Sequence, residues 1–405
     1  MNRHYVIVGS GVAAVHAAKA IRDQDAESEI TIFGEEDHLP YNRIKLTKGL
    51  FSDLHSDKVL IKKEKWYRDN RITLHTASRI ASIHPEAQEV ETADGRRVTY
   101  HKLLLCMGAR NRALAVGGAG LQNVHTIRDL GDADRLKAEL AAGQRAVVIG
   151  GGVQGLETAW ALHEAGYPVT IVEAAPRLMA RQLDEASSER LRQILEQAGV
   201  EVKLHAGVTA INGAAAVSGV TLDDGTEIPC GHVVYSIGIV PNTELVQETG
   251  IQIRSGVLVN RHLETSAPHV YAAGDLAELD GLVEGLWGGA IEQGKVAGMN
   301  MAAADPADYR RPVPVTLFNA FGSSLFSIGN TDERQCDLSA AGEVDGVYTR
   351  IYIKDNRLAG ALAWDGAAAS LLYKAAVERG VSLEGLDVAG SSLEAVVAGI
   401  AALVE

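Results

Sequence analysis

Cysteine is scarce in this chain: three among 405 residues, at Cys106, Cys230 and Cys336. Their odd number and wide spacing exclude a disulfide framework and a cysteine metal-ligand pattern, so no metal is expected, and they point to a reducing, cytoplasmic compartment. Long apolar runs are also missing. No stretch approaches the roughly 20 residues that a membrane helix needs, and MNRHYVIVGSG has too few apolar residues ahead of its glycines for a signal peptide. The Ala/Val-rich tail Leu393–Val404 is short and carries Glu394, so it is expected to pack as a helix rather than to anchor in a bilayer. Basic charge is in deficit as well, 38 Lys plus Arg against 52 Asp plus Glu, for a formal net charge of -14. That balance argues against a nucleic-acid partner. The deficit is uneven: residues 1–110 hold 17 basic against 15 acidic side chains, and the remainder 21 against 37. The first segment therefore offers the more basic surface, with Lys58, Lys62, Lys63, Lys65 and Arg68 clustered in sequence, suited to an acidic protein partner.

What is present is glycine, 42 residues of it, set in a repeated pattern. The length exceeds one ordinary domain, and 46% hydrophobic with 22% charged residues is an α/β composition. YVIVGSGVAAVHAAKAIR reads as strand, tight turn and helix, and EITIFGEE as the next strand, which makes one βαβ unit. RAVVIGGGVQGLETAWALHEAG followed by YPVTIVEAA repeats it about 140 residues later. Downstream, Leu74–Gly108 aligns without a gap to Leu204–Gly238, with Asp94-Gly95 over Asp224-Gly225 as hairpin turns and Gly108 over Gly238 as strand ends. Two such units predict two nucleotides. Past the Pro-rich joint Arg310–Val315, the strand-like SLFSIG and VYTRIYIKDNRLAGALAW and the helix-like AASLLYKAAVERG read as a smaller α+β domain.

In the first unit Gly9, Gly11 and Ala14 form GxGxxA between strand and helix. Glycine lets the backbone approach a pyrophosphate, and the helix start presents free N–H groups and a positive dipole end. Glu35, 26 residues after Gly9, is spaced to accept hydrogen bonds from a ribose diol. The second unit has Gly150, Gly152 and Gly155 in GxGxxG, with Glu173 following 23 residues after Gly150. A carboxylate there binds a 2'-hydroxyl and repels a 2'-phosphate, which favours NADH over NADPH, while Arg177 softens that preference. A third glycine site, AAGD, places Gly274 and Asp275 after a short strand, where Asp275 can bind a ligand hydroxyl.

Together GxGxxA, the strand ending CMGA at Gly108-Ala109, GxGxxG and AAGD resemble the glutathione-reductase-like family of flavoproteins with two dinucleotide-binding domains, over nearly the whole chain. The resemblance implies an α/β fold of two Rossmann-like domains plus a small C-terminal α+β domain. Residues 1–112 and 242–309 would bind FAD, 113–241 NAD, and 310–405 would form the C-terminal domain. It implies further that Asp275 binds the FAD ribitol and that Gly108 and Ala109 lie beside the flavin nucleotide. Cys106 and Met107 depart from the family's usual Ala-Thr and are expected to be buried strand-end residues without a redox part; Cys230 is expected to be core.

Thiol-using members of this architecture carry a redox cysteine after the second strand of the FAD domain. Here that region is GEEDHLPYNRIKLTKGLF, and it has none. It is similar instead to the pattern YxRxxLSK of the branch containing rubredoxin reductases, oxygenase-coupled ferredoxin reductases and the flavin half of nitrite reductases. Tyr41, Arg43, Leu46 and Lys48 match, and Thr47 replaces Ser. The resemblance implies that Arg43 lies near the FAD phosphates or adenosine, and that Lys48 lies near flavin N5 and pairs with Glu157. It also brings Trp287 to the flavin, with a helix expected to begin near Ala290 and Gln293 in its first turn. NADH would reduce FAD, and FAD would pass electrons singly to a small acidic carrier, rubredoxin or ferredoxin. Phe318 and Phe321 stand where oxygenase-coupled reductases have tryptophans, which favours the rubredoxin- and nitrite-reductase branch. The alternatives are the flavin subunit of a nitrite-reductase-like system, an NADH oxidase or quinone reductase, and a redox sensor like apoptosis-inducing factor. A homodimer and a place in a larger reductase both stay open.

Overall fold

The computed structural model describes residues 3–366 and 370–404. The chain forms two compact units: one takes the residues up to Leu46, Ser52–Arg112 and Gly238–Pro312, the other Thr47–Phe51, Ala113–Ile237 and Val313 onward.

The first unit is built on a parallel five-stranded sheet in the order Val270–Ala272, Lys102–Leu105, His4–Val8, Glu29–Phe33, Ile72–His75. Its central strands are continuous β-branched and aliphatic runs because both faces are covered, and Tyr5, Val6, Ile7 and Leu103 to Leu105 are buried. Helix Val12–Gln24 packs against helix Trp287–Ala302 through Ala13 and Ala17 on one side and Gly294 and Gly298 on the other. The second helix begins three residues earlier than the sequence predicts. Gly288 and Gly289 hide its start, since glycine is a poor helix former, yet Leu286 is the extended residue that caps it. Gln293 therefore falls in the second turn and not the first.

The second unit repeats the plan with the parallel order Glu201–Lys203, Val169–Val172, Ala146–Ile149, His232–Tyr235, Val124–His125. The aligned hairpins are present in both units, and their turn residues Gly95 and Gly225 have φ of +86° and +85°. The C-terminal part is an antiparallel five-stranded sheet ordered Val315–Ala320, Ser323–Gly329, Arg357–Trp364, Val347–Lys354, Leu338–Val344. Helices Ser370–Arg379 and Leu393–Val404 close its core, with Tyr373, Val396 and Ile400 buried. The alanines expected to open the first of these helices lie outside the described residues. Within the unit, Asp184 caps helix Glu185–Gln197 and pairs with Arg350 of the sheet at 2.8 Å, while the Gln182 carbonyl accepts from Ser327 Oγ at 2.8 Å. No helix among the described residues is long and apolar enough to cross a membrane.

Candidate functional site

Each glycine loop joins the end of a parallel strand to a helix start. Gly9 and Gly150 adopt φ of +107° and +113°, and a Cβ on either would overlap a neighbouring carbonyl oxygen, that of Cys106 or Ser236. Only glycine satisfies both conditions. Gly11 and Gly152 differ: nothing lies within 4 Å of a Cβ placed on them. They cap the following helices without any side-chain hydrogen bond, and neither helix has an acid in its first turn. By contrast, Asp129 and Asp184 cap helices Leu130–Glu139 and Glu185–Gln197 with their carboxylates. The two glycine-loop helices thus start without a capping side chain or a first-turn acid, the chemistry a pyrophosphate requires. At the third motif position Gly155 lies against the Gly150 carbonyl, and the matching Ala14 is fully buried.

The acidic residues fall into three environments. Glu35 is exposed and pairs with Arg79 at 3.7 Å. Its neighbour Glu36, which sequence reasoning missed, takes the Tyr41 hydroxyl at 2.6 Å and the Arg43 guanidinium, which also sits 5.0 Å over the Tyr41 ring. Glu173 accepts from Gly151 N at 2.5 Å and Ala175 N at 2.7 Å, so its carboxylate stands on the second glycine loop. Arg177 donates to the Leu183 and Ala180 carbonyls, both at 3.2 Å, and so is bound to its own loop.

Gly108 turns at φ +67°, and its carbonyl accepts from Asn242 N at 3.0 Å; Ala109 then opens a short strand that pairs with Ile239–Pro241. Gly274 and Asp275 form a single 3-10 turn, and Gly274 N donates to Gln293 Oε1 at 2.7 Å. Trp287 is half-buried against the core of the first unit. Cys106 is buried 3.7 Å from the Gly9 carbonyl, and burial pushes its thiol up to about 12; burial likewise raises Cys230 to about 11. Neither thiol is ionised near neutral pH, as a nucleophile must be. The basic cluster is partly neutralised locally: Lys63 meets Asp57 at 2.9 Å, Lys65 meets Asp69 at 2.5 Å, and Lys62 lies 5.6 Å from the Trp66 ring.

Thr47, Lys48 and Glu157 come together in the second unit. Glu157 projects from helix Val153–Glu164, with its side chain 7% exposed. Lys48 Nζ lies 3.4 Å from its Oε1, and the Thr47 hydroxyl donates to Oε2 at 2.7 Å. Thr47 is thus a structural partner, which its reading as a replacement for Ser did not reveal. Further along, Trp160 meets Phe321 edge-on at 4.7 Å, whereas Phe318 is core. Burial raises the Glu157 carboxyl above its ordinary value of 4.5, with Thr47 and Lys48 opposing. The folded chain therefore holds this proton more tightly than the unfolded chain, and the stability it contributes is full below 4.5 and lost as pH rises through the raised value. The half-exposed Lys48 restores little of it. E157Q, uncharged at every pH, is expected to melt a few degrees higher than the parent at pH 7.5 and level with it at pH 4.5, in thermal melts at both.

Residues 3–300 match the family described as pyridine nucleotide-disulphide oxidoreductase, and residues 314–381 the domain described as the rubredoxin NAD+ reductase C-terminal domain. The nitrite reductase [NAD(P)H] of Bacillus subtilis (strain 168) is 35% identical over 363 residues, which cover 89% of this chain and 45% of that protein. The chain spans about half the length of the Bacillus subtilis relatives it matches. The rubredoxin-NAD(+) reductase of Ectopseudomonas oleovorans is 38% identical over 274 residues, covering 67% of this chain and 71% of that protein. Among solved structures, the ferredoxin reductase for the CYP199A2 system from Rhodopseudomonas palustris superposes with a TM-score of 0.87 at 28% identity, covering 95% of this chain and 96% of that one. The chain belongs to the pyridine nucleotide-disulphide oxidoreductase family.

Proposed function

We propose that this chain is an NADH-dependent FAD reductase that delivers electrons to a small one-electron carrier of the rubredoxin or ferredoxin type, without a redox cysteine. The observation that carries this reading is the Lys48–Glu157 pair with Thr47, in the segment where thiol-using members carry cysteine, while Cys106 and Cys230 are buried and hard to ionise. The match of residues 314–381 to a rubredoxin reductase domain supports the carrier class.

In this reading residues 1–112 and 242–309 bind FAD, 113–241 bind NADH, and 310–405 form the C-terminal domain. The free N–H groups after Gly11 and Gly152 hold pyrophosphates. Glu35 and Glu173 accept from ribose hydroxyls, Arg43 positions the flavin nucleotide from its pairing with Glu36, and Asp275 takes a ribityl hydroxyl beside Gly108, Ala109 and Trp287. Bound FAD supplies two-electron uptake from NADH and one-electron release. Lys48 holds a cation at the site, and Glu157 balances it. Glu173 repels a 2'-phosphate, and Arg177, spent on loop carbonyls, offers little to attract one, which favours NADH over NADPH.

The test is steady-state turnover with NADH or NADPH against rubredoxin, ferredoxin, menadione and oxygen. The expected outcome is carrier reduction about a hundredfold faster than oxygen reduction, and NADH preferred at least about tenfold in kcat/KM. Carrier rates no better than oxygen's would reject the proposal. A second reading, the flavin part of a nitrite-reducing system, is favoured by the 35% identity to a protein of about twice the matched length; it gains if neither carrier is reduced but an iron-sulfur nitrite reductase module is.

A further inference from the structure

One buried carboxylate in the first unit is partnered unevenly. Glu284 has a side chain only 5% exposed. Its Oε1 accepts three donors: the Tyr309 hydroxyl at 2.8 Å, Gln293 Nε2 at 3.2 Å and Arg311 Nε at 3.2 Å. Its Oε2 is buried and has no hydrogen-bond partner among the described residues. Gln293 is 1% exposed, and with its amide nitrogen committed to Glu284, its carbonyl faces Gly274 N at 2.7 Å. A side-chain amide can flip end for end, and the flipped form would set its NH2 against the Gly274 N–H, donor against donor. Glu284, an acceptor without donors when ionised, forbids that form. Gly274 opens the turn that carries Asp275.

We propose that Glu284 is a positioning residue for the flavin site: held by Tyr309 and Arg311, it fixes the amide of Gln293, and the Gln293 carbonyl fixes the turn of Gly274 and Asp275. This rests on the reading of the first unit as the FAD-binding one. The same geometry explains Gly289, in the first turn of helix Trp287–Ala302: a Cβ there would overlap Glu284 Oε2 and stand 3.2 Å from its carboxyl carbon. Alanine at 289 suits a helix better than glycine does, so G289A displaces the carboxylate without removing it and without weakening the helix.

The experiment strips the full chain of FAD and titrates it back, following flavin fluorescence and the visible band shape, for the parent, E284A, E284Q, G289A and G289A/E284A. The expected results are an FAD Kd raised about tenfold in E284A and in G289A, a double variant no weaker than E284A alone, and E284Q, which keeps an acceptor, within about threefold of the parent. The proposal is overturned if E284A or G289A binds FAD within about twofold of the parent, or if the double variant shows the product of the two single effects. Should E284A fail to fold, G289A and E284Q decide on the same thresholds. A parent chain that takes up no FAD sinks the FAD-binding reading itself and this inference with it, whereas a parent that binds normally beside unaffected variants sinks the inference alone.

Discussion

A K48M variant is expected to keep its FAD yet to be reduced by NADH about a hundredfold more slowly than the parent in anaerobic stopped-flow measurements. Two losses combine in it. The ammonium group disappears from beside Glu157, 3.4 Å away, which loses the cation that opposes its burial. Desolvation, already the largest influence on Glu157, is then opposed by the Thr47 hydroxyl without help from Lys48, and the carboxyl is raised further. The second loss makes the effect non-additive. Once Lys48 is gone Glu157 has no cation left to balance, so adding E157Q to K48M should slow reduction by less than about twofold more. E157Q alone should be milder than K48M, because it leaves a flexible, half-exposed lysine that solvent can serve. Unaltered reduction rates in K48M would remove Lys48 from the mechanism and leave the pair as a packing feature.

How much of this was legible in the sequence follows from the range of each interaction. The glycine loops were readable because their constraints are local: Gly9 and Gly150 need positive φ within a few residues of a strand end, and a repeat at nearly constant offset makes coincidence improbable. The parallel sheets follow from unbroken β-branched runs. The Lys48–Glu157 pair was not readable from periodicity, since its members lie 109 residues apart, and only the family resemblance brought them together. The engagement of Glu36 by Tyr41 and Arg43 is a tertiary fact that no spacing announces, whereas Glu35 lies exposed beside Arg79. Glu284 gave no signal at all, because its partners Gln293, Tyr309 and Arg311 gather only when the helix after it packs. The start of that helix was obscured by two glycines, of which only Gly289 is required by its surroundings, since a Cβ there would overlap Glu284.

The largest loss of stability is expected where the two helices of the first unit touch. Gly294 and Gly298 stand one turn apart on helix Trp287–Ala302, and a Cβ on them would come within 2.8 Å of the Ala13 and Ala17 Cα atoms, overlapping their carbonyl oxygens as well. The obstacles are helix backbone, which has no rotamer to move, so relief requires shifting helix Val12–Gln24 and with it the loop of Gly9 and Gly11. Overpacking of this kind costs about 1 to 3 kcal/mol per site, against which the better helix propensity of alanine returns less than about 1 kcal/mol. The double variant G294A/G298A, with both clashes on one seam, is therefore expected to lose about 4 kcal/mol, a fall of about 10 °C in the melting temperature of the FAD-free chain. The control is Gly288, in the same helix but with nothing within 4 Å of a Cβ; G288A should melt level with the parent or slightly above it. A double variant that melts with G288A would mean that the helices separate at little cost, and the glycine loop would then owe its position to the sheet rather than to this seam.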